Sequence, residues 1–224
     1  HRSGLSPEQV DETDKITEIC ESSVHLEFKG FLTHAGNTYS AKSREEILGI
    51  MDETAGMMKT LKERYISRFP DIITSYGDTP SCSIADDLST FDEVRPGNFV
   101  YYDVMQYQLG SCSLDDIAVA VACPVVSVYP ERQELIIYGG AVHLSKEYVE
   151  TNGKKSFGLV VRLNGNEWGE PIPGAYVSSI SQEHGIVKMP ENYITHFKPG
   201  DVLGVLPVHS CLTANLLNNN TQPV

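Results

Sequence analysis

Glu93-Val94-Arg95-Pro96-Gly97-Asn98-Phe99-Val100 is where the pattern of the sequence changes. Upstream of it, helical and strand periods alternate. Ser6-Pro7-Glu8-Gln9 reads as a helix start, with Ser6 as N-cap and Gln9 closing a capping box. Val10, Ile16, Ile19 and Cys20 follow at helical spacing. Residues 24–33, VHLEFKGFLT, read as a buried strand that runs into the loop His34-Ala35-Gly36-Asn37-Thr38-Tyr39. Ser43 with Glu46 opens a second helix, whose inner stripe is Ile47, Met51, Met58, Leu61 and Tyr65. Residues 71–75 read as a short strand, and Tyr76-Gly77-Asp78-Thr79-Pro80-Ser81 as a turn-rich loop. This is the βα rhythm of a parallel sheet or barrel, which carries ligands on the loops after its strands.

Downstream, helical periodicity fades. Residues 99–105, 117–128, 135–142, 158–163, 176–181 and 202–206 read as strands. Pro130-Glu131-Arg132, Asn164-Gly165-Asn166 and Pro199-Gly200-Asp201 separate some of them. The tail Asn218-Asn219-Asn220-Thr221 reads as irregular. The expected organisation is an α/β domain over 1–94 and an all-β domain over 95–224. A closed (β/α)8 barrel takes roughly 200–250 residues, so 1–94 is too short to form one.

The chain has 224 residues, 41% of them hydrophobic and 21% charged, enough apolar material for packed cores. A net charge of −13 argues against nucleic acid as partner, because phosphate binding needs clustered Lys and Arg. No apolar run approaches the roughly 18–20 residues of a membrane span. Five Cys are scattered without a CxxC pair, so a reducing, cytoplasmic setting is expected, with most of them as small buried hydrophobes. The chain opens on His1-Arg2 with no initiator Met and no signal-peptide pattern.

The loops narrow the reading further. In order they are Arg2-Ser3-Gly4, His34 to Tyr39, Gly77-Asp78-Thr79-Pro80-Ser81, Glu93 to Val100, Ser181-Gln182-Glu183-His184-Gly185 and Pro207-Val208-His209-Ser210-Cys211. This set, in this order and spacing, closely resembles the D-serine dehydratase family. That family is related to D-threonine aldolases and alanine racemase-fold proteins. The resemblance implies the C-terminal part of a pyridoxal phosphate (PLP) binding (β/α)8 barrel followed by an antiparallel β domain. It also implies a homodimer acting on a small β-hydroxy D-amino acid. The family's PLP-bearing Lys lies on an early barrel strand, upstream of the RxG motif. The chain therefore reads as an N-terminally truncated fragment with the catalytic Lys absent. Lys15, Lys29 and Lys59 fall in helices or mid-strand instead.

The resemblance also assigns residues. Thr79, near Gly77, and Gly97 with Asn98 match phosphate-holding positions; read alone, these are also two ordinary turns. Tyr39 matches a residue against the cofactor ring, near the pyridine nitrogen. Arg2 matches a position facing the phenolic oxygen, and Arg95 competes with Tyr39 for the ring nitrogen. His209 and Cys211 match the family's zinc-binding segment. On a strand, residues i and i+2 share a face about 6–7 Å apart, within reach of one ion. A thiolate favours Zn²⁺, whereas the aldolase branch carries Asp, which suits Mn²⁺. The implied activity is conversion of D-serine to pyruvate and ammonia with PLP and Zn²⁺. A D-threonine aldolase-like lyase and an inactive PLP-binding fragment are the alternatives. His34 and His184 remain open between site and turn roles. His25, His143 and His196 read as structural or exposed. Asp86-Asp87 and Asp115-Asp116 read as solvated faces or caps.

Overall fold

The computed structural model describes residues 3–151, 153–165, 167–220 and 222. Arg2 lies outside the described residues. The chain divides into two compact units, His1–Gly97 and Asn98–Val224.

Unit 1 holds helix α1 (Val10–Ser22), strand β1 (Gly30–His34), helix α2 (Arg44–Tyr65), strand β2 (Ile73–Gly77), helix α3 (Thr79–Ile84) and strand β3 (Glu93–Val94). The three strands form a parallel sheet in the order β1-β2-β3. The cap at Ser43 forms as expected, its side chain accepting from the Glu46 N–H at 3.1 Å. Ile47, Met51, Met58 and Tyr65 are buried. Met51 and Met58 share a core with Tyr76 and Phe91, whose rings stack at 4.4 Å.

Three expectations for this unit change. The first helix starts at Val10, because residues 6–9 form a turn in which the Ser6 N–H donates to Gln9 Oε1 at 2.9 Å. The first strand begins at Gly30, and Val24 and Leu26 are exposed. Gly30 has φ +150°, and a Cβ there would lie 1.9 Å from the Ile73 carbonyl oxygen, so only glycine lets the chain enter the sheet at this point. The expected loop 76–81 is instead the end of β2 and the start of α3.

Asp92, just before β3, ties α2 to the sheet. Its carboxylate accepts from Lys62 Nζ at 2.6 and 2.8 Å and from the Thr74 N–H at 2.7 Å. These contacts, the Lys62 hydrogen bond foremost, pull its pKa down to about 2. A carboxyl depressed on folding stabilises the fold above its unfolded pKa of about 3.9, and that contribution fades as pH falls toward 2. The urea midpoint of the native chain is therefore expected to drop between pH 4 and 2. The Asp92→Asn chain should show a shallower drop; equal slopes would remove Asp92 from the acid response. Partial exposure keeps the effect modest.

Unit 2 is built on a closed barrel of strands β4 (Val121–Tyr129), β5 (Glu134–Tyr138), β8 (Gly158–Asn164), β9 (Glu167–Ile180), β10 (His184–Lys188) and β11 (Val202–Pro207). Around the barrel the order is β10-β5-β4-β11-β8-β9, every pairing antiparallel. A separate hairpin joins β6 (Val149–Thr151) and β7 (Lys154–Ser156). Among the described residues, α4 (Val104–Gln108) precedes these strands, α5 (Ala141–Leu144) and α6 (Glu191–Ile194) lie between them, and α7 (Ser210–Leu216) follows them.

Alternation explains the barrel core. Val121, Cys123 and Val125 of β4 point inward with Leu135 and Ile137 of β5 and Leu203 and Val205 of β11. Each such side chain contributes roughly 1.5–3 kcal/mol by leaving water. β8 and β11 read as continuous apolar runs because both their faces are covered. Val160 joins the barrel core, while Val161 and Leu206 pack outside it with Val104, Ile117 and Val208. Residues 99–105, read as a strand, are instead a 3-10 turn followed by the start of α4. Residues 184–188, partly read as loop, form β10. Among the five Cys, all free, only Cys123 is buried, where burial pushes its thiol up to about 12.

Candidate active-site residues

Parallel pairing brings three loops of unit 1 out at one sheet edge. They follow His34, Gly77 and Val94, the last residues of β1, β2 and β3. Backbone bonds join them: the Ala35 N–H donates to the Gly77 carbonyl at 3.0 Å and the Arg95 N–H to the Tyr76 carbonyl at 2.8 Å. A 3-10 turn over Gly36–Ser40 carries Tyr39, half-buried, with its ring 6.2 Å from that of His34. Thr79 is the buried first residue of α3. Gly97 is exposed, and a Cβ there would meet nothing within 4 Å. So Tyr39, Thr79 and Gly97 sit on three loops of one edge.

Two residues of this edge hold the loops. Asp78 is only 1% exposed, and its carboxylate accepts from the Ser81 N–H at 2.7 Å, the Ser81 hydroxyl at 2.6 Å and the Thr38 hydroxyl at 3.2 Å. It thereby caps α3 itself. Tyr76 closes the group through its hydroxyl, 2.7 Å from Ser81 Oγ, and burial holds this phenol protonated well above the usual range. Arg95 spans the strands, donating to the Thr33 carbonyl and to Ser75 Oγ, each at 2.7 Å. Its guanidinium covers Gly77, where a Cβ would come within 3.0 Å. Arg95 is thus a brace across β1 and β2.

Unit 2 holds the other candidate group. His209 is not on a strand: β11 ends at Pro207, His209 is the N-cap of α7, and Cys211 lies in the first turn. Both are half-buried. The Cys211 thiol lies 3.5 Å from Asn98 Oδ1. Asn98 Nδ2 donates to Asp103 at 2.6 Å, and the Ser210 N–H donates to the same carboxylate oxygen at 3.2 Å. The other oxygen of Asp103 accepts from the Gln106 N–H at 2.9 Å, capping α4. Burial raises the Asp103 carboxyl, partly offset by these donors and by His209. Burial, with the Asp103 charge, also raises the Cys211 thiol. His209 offers an imidazole and Cys211, once its proton is displaced, a thiolate, two residues apart at the start of α7. That donor chemistry fits a borderline-soft divalent ion. Among the described residues, no group of three His, Cys, Asp or Glu stands close enough to hold a metal without other ligands.

His184 opens β10 with its ring edge-on to Tyr138 at 5.7 Å, and His143 packs on the same ring at 4.9 Å. Its role therefore begins with an aromatic cluster. A groove of about 600 Å³ in unit 2, lined by Leu114, Ile117, Trp168, Pro171 and Leu206 among others, contains none of the expected site residues.

Residues 118–221 match a family model described as "Putative serine dehydratase domain". D-serine dehydratase of Dictyostelium discoideum is 32% identical over 240 residues, covering 99% of this chain and 59% of that protein. The chain is similar to D-serine dehydratases along almost its whole length. D-threo-3-hydroxyaspartate dehydratase of Delftia sp. (strain HT23) is 28% identical over 224 residues, covering 95% of this chain and 57% of the relative. The solved Delftia structure superposes with a TM-score of 0.80 at 26% identity, covering 96% of this chain and 58% of that one. A Cys-to-Ala variant of the same enzyme was solved in a metal-free form. An alanine racemase-like protein from Idiomarina loihiensis gives a TM-score of 0.79 at 26% identity, covering 96% and 57% of the two chains. The chain thus spans little more than half the length of the relatives it matches.

Asp78 and Asp103, the hubs of the two groups, were missed by sequence reasoning. Asp103-Val104-Met105-Gln106 carries the signal, an Asp followed three residues later by Gln at a helix start. The β-prone residues around it favoured a strand reading.

Proposed function

We propose that this chain is part of a PLP- and zinc-dependent dehydratase of β-hydroxy D-amino acids, turning D-serine into pyruvate and ammonia. The observation that carries the reading is the pairing of an imidazole and a thiol, His209 and Cys211, at the start of α7 beside Asn98 and Asp103. The match of residues 118–221 to the serine dehydratase model supports it, as do relatives that are D-serine and D-threo-3-hydroxyaspartate dehydratases. In the same reading β1–β3 are part of a (β/α)8 barrel, the domains run over 1–94 and 95–224, and the protein is a cytoplasmic homodimer.

When bound, PLP supplies an electron sink for Cα deprotonation and zinc a Lewis acid for loss of the β-hydroxyl. The residues divide the remaining work. Thr79 and Gly97, on two loops of the same sheet edge, would hold the cofactor's phosphate. Asp78 already occupies the N-terminus of α3, so the Ser81 N–H is not available to that phosphate. Asn98 has its side chain committed to Asp103 and Cys211. Tyr39 would stand against the cofactor ring, where a phenol, unlike a carboxylate, would not favour a protonated pyridine nitrogen. His209 and Cys211 hold the metal, and two protein donors leave positions for a substrate hydroxyl.

Assay of the intact protein carrying this chain tests the reading. Pyruvate from D-serine is expected, and exhaustive zinc removal should abolish it. Pyruvate formation that survives zinc removal would overturn the metal role. Glycine and an aldehyde as main products would instead identify an aldolase. In unit 1, Lys15, Lys59 and Lys62 lie on helices, and Lys29 and Lys42 outside the strands. The 224-residue chain alone is therefore expected to release no pyruvate. Borohydride treatment with PLP should add no stoichiometric phosphopyridoxyl mass; one equivalent on a single lysine would refute this.

A further inference from the structure

We propose that Asp103 is the positioning residue for the metal donors of α7. The inference rests on the metal reading of His209 and Cys211 and extends it to a residue that touches neither substrate nor metal. Asp103 is 1% exposed and holds three donors from separate segments of unit 2. The Ser210 N–H at 3.2 Å fixes the peptide between the two metal donors. Asn98 Nδ2 at 2.6 Å fixes an amide whose Oδ1 lies 3.5 Å from Cys211 Sγ. The Gln106 N–H at 2.9 Å anchors the carboxylate itself to α4.

The geometry gives the arrangement a purpose that capping alone lacks. To cap α4, Asp103 needs one oxygen. Its second oxygen takes two donors, both leading to the His209-Ser210-Cys211 segment, one through the backbone and one through Asn98. Neither donor can be replaced by the other. Removing the carboxylate charge leaves the Ser210 N–H, which belongs to a fully buried residue, without its acceptor. Outer-sphere residues of this kind orient ligands, and their loss costs about 10–100-fold in metal affinity.

Asp103→Asn separates the roles. Asn can keep one carbonyl oxygen on the Gln106 N–H, so α4 stays capped. Its amide nitrogen then faces two donors, and the hold on α7 is lost. Zinc affinity of the full chain, measured by competition with a chromophoric chelator, is expected to fall about 10–100-fold. At full cobalt occupancy the thiolate-to-metal charge-transfer absorption should also weaken. Val187→Ala, a barrel-core change that removes none of the Asp103 hydrogen bonds, should leave affinity and absorption as in the native chain. Equal losses in Val187→Ala and Asp103→Asn would make the effect one of general destabilisation and overturn the proposal. An unchanged affinity in Asp103→Asn, with binding abolished in His209→Ala and Cys211→Ala, overturns it as well. Native affinity in those last two variants would defeat the metal reading itself. If Asp103→Asn does not fold, Asn98→Ala decides. It keeps the Asp103 bonds to both helices and removes the arm to Cys211. Weaker charge transfer supports the proposal, and native values overturn it.

Discussion

Cys211→Asp is expected to move the metal preference of the chain from zinc toward manganese. The thiol is the soft member of the donor pair, and a carboxylate in its place is hard. Zinc should lose more than the roughly 10–100-fold that an outer-sphere change costs, because a direct ligand is replaced. Manganese should bind as well as before or better. The setting adds to the contrast. Cys211 lies in the electrostatic reach of Asp103, a buried carboxylate that raises the thiol's pKa. A second carboxylate there repels the first until a cation arrives, so the variant's thermal stability should become strongly metal-dependent. Calorimetric titration with Zn²⁺ and Mn²⁺ reads the preference directly. A zinc-to-manganese affinity ratio equal to that of the native chain would mean that Cys211 is not a ligand.

What the sequence made legible follows from what each signal depends on. The α2 boundary at Ser43 was readable because its cap is local: a side chain, an N–H three residues on, and an apolar stripe. The parallel sheet followed from alternating elements, and the barrel strands from alternating burial, as in β4 and β5. The failures were of the opposite kind. Val24 to Lys29 are apolar enough for a strand, yet the sheet admits the chain only at Gly30, where the approach of Ile73 decides. Six-residue α3 and five-residue α4 lie below the length at which periodicity is informative, and each is specified by a buried Asp cap. The His209 and Cys211 segment was singled out by resemblance to the family's zinc-binding segment, and the strand assigned to it is absent. Pro207 closes β11, and Asp103, more than a hundred residues earlier, receives the N–H that starts α7. Long-range acceptors of this sort leave no local trace.

Asp78→Ala is expected to cost unit 1 about 2–4 kcal/mol, the sum of a lost helix cap and buried donors left without acceptors. The side chain is 1% exposed and holds the Ser81 N–H and hydroxyl and the Thr38 hydroxyl. Thr38 precedes Tyr39, and Thr79 follows Asp78, so one carboxylate fixes two of the three loops at the sheet edge. Alanine leaves the Ser81 hydroxyl with the buried Tyr76 hydroxyl and the Ser81 N–H without its acceptor. Asp78→Ser should recover the cap on α3 but not the bond to Thr38, because its shorter side chain has one oxygen for both tasks. Amide hydrogen exchange distinguishes the two. In Asp78→Ala, protection should fall across α3 and the turn at Gly36–Ser40. In Asp78→Ser it should fall in that turn and persist in α3. Amides of β4, β5 and β11 serve as the internal reference. A loss below about 1 kcal/mol in Asp78→Ala, within the range of an ordinary surface cap, would remove Asp78 as the anchor of this edge. The placement of Tyr39 and Thr79 would then depend on the backbone bonds from Ala35 and Arg95.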